Sequence, residues 1–194
     1  MSYITRYLPF DTETGGIPDE VSLLSAYFKV LDENLNVIDT LSLFTKPNDG
    51  IYHVAAGGMA VNKINLVEHD KIAKTYSEAG QLLFHFLKKN SDNGKIKLIP
   101  LGKNIPFDVL KVTGNLMGEK TWNTFVSYRM IDLTTLAMSL QIKGKLPAGM
   151  SLSLFALAEH FHIYTKYVLV GNPHEAEFDT EVTIAVYKEL LNLI

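Results

Sequence analysis

The chain has 194 residues, with 18 Lys and Arg against 21 Asp and Glu, a net charge of −3, and no cysteine. A length near 200 suits one domain with its own core, residues 1–194 as a single unit. The lack of cysteine excludes disulfides, thiolate zinc sites and cysteine nucleophiles, and the charge balance argues against a broad basic surface that grips nucleic acid.

Tyr3 to Asp11 reads as a first strand, although Pro9 lacks the N–H that an interior strand uses. Val21 to Leu31 and Val37 to Lys46 are β-rich runs around the turn-forming Asp32 to Asn36, which predicts a hairpin. Gly58 to Asn65 is a short apolar segment that either lines a pocket or packs the core. Beyond Val67 the period becomes helical, with Leu82, Leu83, Phe86 and Leu87 on one stripe and a stop at Asn90 to Gly94. Ile96 to Leu101 is a short apolar strand. Helical patterns follow at Val109 to Met117 and Leu133 to Leu140, with a short strand at Met130 to Asp132 between them. Ser151 is the expected cap of a helix carrying Leu152, Phe155, Leu157, Ala158 and Phe161. The last helix is expected from Ala176 to Leu193, with Val182, Ala185, Val186 and Leu190 on its apolar stripe. A hairpin followed by alternating strands and helices indicates an α/β domain with a mixed sheet.

Met1 to Phe10 lacks the cationic flank and apolar run of a signal peptide. No stretch of about 18 uncharged apolar residues exists to span a membrane. The expectation is a soluble, cytoplasmic protein without a membrane partner.

Three segments carry chemistry. In Phe10-Asp11-Thr12-Glu13-Thr14-Gly15-Gly16, a strand would project Asp11 and Glu13 to the same side. Paired carboxylates repel unless a cation lies between them, which suits a hard ion such as Mg²⁺ or Mn²⁺; the alternative is an exposed strand end running into a Gly-Gly turn. In Leu101-Gly102-Lys103-Asn104-Ile105-Pro106-Phe107-Asp108, Asp108 falls near a helix N-terminus, as a metal ligand or as a cap. In His174-Glu175-Ala176-Glu177-Phe178-Asp179, positions five apart do not share a helical face. His174 can therefore work with Asp179 only from the loop before the helix, where a histidine suits proton transfer near neutral pH. Other residues read as structural. His53, His69, His85, His160 and His162 lack ligand spacing, Trp122 packs, and Lys88, Lys89, Lys95, Lys97 and Lys103 suit a solvated face better than a strand-binding track.

Taken together, Asp-x-Glu, Asn-x-x-Phe-Asp and His-x-Ala-x-x-Asp, in that order over most of the chain, resemble the DEDDh 3′→5′ exonucleases. That family includes the proofreading subunit of bacterial DNA polymerase III, RNase T and oligoribonuclease. The resemblance implies an RNase H-like fold with a mixed five-stranded sheet. It also implies four metal carboxylates at Asp11, Glu13, Asp108 and Asp179, two Mg²⁺ or Mn²⁺ ions, and His174 as general base. Thr14, Gly15, Gly16, Val61, Asn62 and Phe107 fall where substrate contacts are expected. The implied activity is metal-dependent removal of nucleoside 5′-monophosphates from the 3′ end of a nucleic acid, single-stranded DNA first and RNA as the alternative. A further alternative is an inactive nucleic-acid-binding module of the same fold. At this length the chain holds no polymerase domain, so it is expected to act alone or to dock on a polymerase or other replication partner.

Overall fold

Residues 5–17, 20–169 and 171–194 are described by the computed structural model, so the Tyr3 and Ile4 start expected for the first strand lies outside them. Strand β1 spans Arg6–Thr14, three residues beyond its predicted end, and thereby takes both Asp11 and Glu13 into the sheet. It pairs antiparallel with β2 (Leu23–Leu31), which pairs antiparallel with β3 (Val37–Lys46). The predicted hairpin turn is held by Asp32, whose Oδ1 accepts from the backbone N–H groups of Asn34 and Asn36 at 2.9 and 2.8 Å. Leu35 closes it with φ 62°. Such side-chain bonding to the following backbone is why Asp and Asn favour turns.

After β3 come α1 (Ala56–Asn62), α2 (Leu66–Ile72), the two-residue β4 (Lys74–Thr75) and α3 (Tyr76–Asn90). Thr75 and Glu78 form a reciprocal capping box that sets the start of α3. Its buried stripe runs through Ala79, Leu83, Phe86 and Leu87, whereas Leu82 is exposed. β5 (Leu98–Gly102) lies parallel to β1 and leads into α4 (Ile105–Asn115) and α5 (Glu119–Phe125). β6 (Ile131–Asp132), α6 (Leu133–Ile142), α7 (Leu154–His160), α8 (Ile163–Lys166) and α9 (Ala176–Leu191) complete the chain.

The sheet is mixed, as expected, but has six strands in the order β4-β3-β2-β1-β5-β6 rather than five. The extra strand is β4, too short to carry a period in the sequence. Pro9 does sit inside the central strand, opposite Leu101 of β5. A single missing donor is tolerated in a strand flanked on both sides. Ser151 is not the cap of α7: Ser153 is, accepting from the Ala156 N–H at 3.1 Å. The predicted continuation to Phe161 is cut because the chain turns through His162 at φ 56°.

Each face of the sheet has its own apolar layer. Leu8, Phe10 and Phe28 pack with Leu83 and Leu87 of α3, Val112 of α4 and Trp122 and Phe125 of α5. Trp122 is 2% exposed and meets Phe10 edge-on, as packing predicted. On the other face Leu101 packs with Leu133 of α6, Leu157 of α7 and Val182, Val186 and Leu190 of α9. β2 is buried along its whole length while β3 is largely exposed. The interior position of β1 places its side chains between these two layers, and its C-terminal end is where the site forms. Among the described residues no helix is long and apolar enough to cross a membrane.

Candidate active site

Alternation along β1 sends neighbouring residues to opposite faces. Asp11 and Glu13 meet Asp179 from the first turns of α9, with one carboxylate oxygen of each within 4.8 Å of the others. Thr12 faces the other layer, where Asp108 of α4 is buried. Asp108 Oδ1 accepts from the Thr12 hydroxyl at 2.6 Å and from the Thr12 N–H at 3.1 Å. Asp108 is therefore locked onto β1 directly between the two residues that meet Asp179. It is not one of the three carboxylates grouped within that distance.

His174 lies on the loop before α9, as the five-residue spacing required, and is exposed. Its backbone takes φ 66°, and its N–H donates to the Asp179 carboxylate. A left-handed residue is costly for anything but glycine or a short polar side chain, so this loop is held by its contacts. Glu175 supplies some of them, accepting from the Asn172 N–H at 3.0 Å and from its Nδ2 at 2.9 Å.

Crowding of like charges dominates the electrostatics. Burial, then the charges of Asp108, Glu13 and Asp179, raise Asp11 well above the ordinary carboxylate range. Glu13 is pushed up to about 8, first by burial and then by Asp179, Asp108 and Glu175. Burial raises Asp108 to about 7 against the opposing bonds from Thr12. Asp179 is raised by burial too, with the charge and N–H of His174 opposing it. An all-oxygen donor set that resists ionising together is one that a hard divalent cation would stabilise. Asp11, Glu13 and Asp179 thus fit such an ion.

A cleft of about 480 Å³ opens beside this cluster, lined by Glu13, Tyr27, Asn62, Ile64, His69 and His174 among others. His69 is a structural part of its wall, with Nε2 2.9 Å from the Thr45 carbonyl oxygen. A larger depression of about 880 Å³, lined by Lys103, Asn104 and Asp132 among others, contains none of the four carboxylates. The smaller cleft is the one joined to the chemistry.

The expected substrate contacts divide. Asn62 lines the cleft, but its Nδ2 donates to the Thr14 carbonyl at 2.8 Å and its Oδ1 accepts from the Ile64 N–H at 3.0 Å. Thr14 is buried and its hydroxyl donates to the Gly16 carbonyl at 2.6 Å. Gly15 is needed for packing: a Cβ there would lie 2.7 Å from the His53 carbonyl oxygen. Gly58 of α1 comes equally close, and a Cβ on it would lie 2.7 Å from the Gly15 carbonyl oxygen. Gly16 takes φ 148°. These glycines seat α1 on the end of β1. Val61 is exposed, and neither it nor Phe107 is among the residues lining the cleft. The Phe107 ring lies under the Lys111 ammonium at 5.3 Å. Two residues that shape the site escaped the sequence reading. Thr12 holds Asp108, and the charge of Lys103 favours the ionised forms of both Asp11 and Asp108. Only the alternation of β1 hinted at the first, and nothing in the lysine-rich stretch set Lys103 apart.

A mixed sheet covered by helices on both faces, with carboxylates at the end of its central strand, defines an RNase H-like α/β fold. Solved structures share it. E. coli exonuclease I in complex with a dT13 oligonucleotide aligns with a TM-score of 0.74 at 19% identity, over 96% of this chain and 41% of that one. The zinc-bound E. coli exonuclease I–ssDNA complex gives 0.72 at 20% identity, over 95% and 40%. Exonuclease I from Methylocaldum szegediense gives 0.72 at 18%, over 97% and 42%. The chain spans about two fifths of the length of these proteins. No protein-family model matches the chain, and no curated protein does. The likeness establishes the fold that the motif resemblance implied.

Proposed function

We propose that the chain is a divalent-metal-dependent 3′→5′ exonuclease of the DEDDh type, releasing nucleoside 5′-monophosphates from a single strand, DNA in preference to RNA. The observation that carries this reading is the meeting of Asp11, Glu13 and Asp179 beside the loop that presents His174. The fold shared with exonuclease I, of which one solved form holds a dT13 oligonucleotide, supports the substrate class.

Asp11, Glu13, Asp108 and Asp179 would hold two Mg²⁺ or Mn²⁺ ions. When bound, such ions lower the pKa of water and offset charge developing on phosphorus and on the leaving oxygen. The residues of the chain do the rest. His174 accepts the proton of the attacking water, and its place on an exposed loop lets the imidazole pass that proton to solvent. The cleft beside Glu13 receives the terminal nucleoside, with Tyr27, Ile64 and Asn62 around it. Thr12 fixes Asp108 by bonding its Oδ1 twice. Water adds to phosphorus, the bond to the 3′ oxygen of the preceding nucleotide breaks, and that oxygen leaves as a hydroxyl on the shortened strand.

Matched 5′-labelled DNA and RNA single strands, incubated with Mg²⁺, test the reading. Stepwise shortening of the DNA, abolished by Asp11→Ala or by chelation, is expected. Release that Asp11→Ala leaves undiminished, or no release at all, contradicts it, and faster digestion of the RNA would reassign the substrate.

A further inference from the structure

Lys103 is set apart from the other lysines by its place, next after β5 and within the field of the carboxylate cluster. Lys46, Lys89, Lys95 and Lys166 form ion pairs with Asp70, Asp39, Asp92 and Glu189, and Lys97 donates to the carbonyls that end α5. The Lys103 ammonium has no hydrogen bond and no ion pair among the described residues, although the residue is half-buried.

Sheet register locates it. β1 and β5 run parallel with Arg6 opposite Leu98 and Pro9 opposite Leu101. The ladder ends there, and Lys103 directly follows the last residue of β5, at the same end of the sheet where β1 continues to Asp11. Leu101, two residues before it, packs in the layer under α9. Asp11 and Asp108 are both favoured in their charged forms by the ammonium. Lys103 also lines the 880 Å³ depression, which is separate from the cleft that contains Glu13 and His174. The ammonium thus stands between the carboxylates and a second open surface. Once divalent cations occupy the carboxylates, those carboxylates no longer compensate Lys103. An anion arriving with the substrate is then its remaining partner.

We propose that Lys103 binds the phosphate of the substrate strand immediately 5′ of the cleaved bond, steering the strand from the cleft into the depression beside α6. The inference rests on the nuclease reading above and adds a positioning residue to it. Lysine contributes here as a point charge, so arginine should substitute and an uncharged side chain should not.

The test is binding of a fluorescent DNA single strand in Ca²⁺, followed by anisotropy at several KCl concentrations. Each phosphate contact on a single strand adds about 0.7 to the slope of log affinity against log salt. Lys103→Gln should weaken binding about tenfold at low salt and make the slope shallower by about 0.7, with Lys103→Arg close to wild type. A neutral methylphosphonate at the linkage 5′ of the terminal one should have the same effect on wild type, and Lys103→Gln should add nothing to it. Equal slopes for wild type and Lys103→Gln overturn the proposal, as do additive losses from substitution and methylphosphonate, or a wild type that does not bind the strand. A lysine that served only to offset the carboxylates would tighten Ca²⁺ binding when replaced and leave the slope unchanged, which also overturns it. Failure of wild type to release mononucleotides counts against the nuclease reading itself. Normal release with unchanged slopes counts against Lys103 alone.

Discussion

The two halves of the site are built differently. Asp11 and Glu13 stand on the central strand of a six-stranded sheet, and Asp108 is buried and tied by Thr12. His174 stands on an exposed loop in a left-handed backbone conformation, joined to the rest through the Asp179 carboxylate. The strand half carries charges that oppose one another and are held together by the fold. The loop half carries a group that must exchange a proton with solvent and pays for its freedom with little packing. Holding repelling carboxylates requires rigidity, whereas proton exchange requires access.

Substitutions on either half should therefore separate activity from stability. Asp11→Asn should lower kcat on the order of a thousandfold or more, since loss of a metal ligand removes several kcal/mol of transition-state stabilisation. The same change should raise the metal-free protein's melting temperature at pH 8, because it removes one of the repelling charges. His174→Ala should cost about a hundredfold or more in kcat and should not raise the melting temperature, since its charge favours the ionised Asp179 instead of repelling it. Equal effects of the two substitutions on stability would erase the distinction between the halves.

Seating α1 against β1 is the next largest effect. Gly58→Ala places a methyl group against Gly15 and Gly16 backbone, and overpacking of this kind costs about 1–3 kcal/mol in chemical denaturation. A smaller effect is the pH dependence of the metal-free protein. Glu13 ionises near 4.5 when unfolded and near 8 when folded, so between these values the folded state holds a proton that the unfolded state has lost. Stability is then greatest below about 4.5 and declines as pH rises to about 8. Glu13→Gln should flatten that decline, as should saturating Mg²⁺, and melting curves across this range measure it.

Much of the site was legible because its residues lie on elements with clear periods. The alternation of a strand put Asp11 and Glu13 together, and the turn of a helix excluded His174 from α9. The hairpin, β6 and the last helix were readable for the same reason. Short elements were not: β4 has two residues and α2 and α5 have seven each, too few for a period to register. The packing role of Gly15 and the partners of Asn62 depend on where α1 returns to the sheet, a long-range contact that local pattern does not encode. Lys103 is similar. In sequence it is one of several lysines, and only the fold brings its charge to bear on Asp11 and Asp108.

The central claim is that water attacks the terminal phosphodiester at this carboxylate cluster. Digesting a single strand in ¹⁸O-water with Mg²⁺ and analysing the products by mass spectrometry tests it directly. The account predicts one ¹⁸O in the phosphate of each released nucleoside 5′-monophosphate, an unlabelled 3′ hydroxyl on the strand that remains, and no release by Asp11→Asn. Nucleoside 3′-monophosphates, unlabelled product, or release that persists in Asp11→Asn would contradict it.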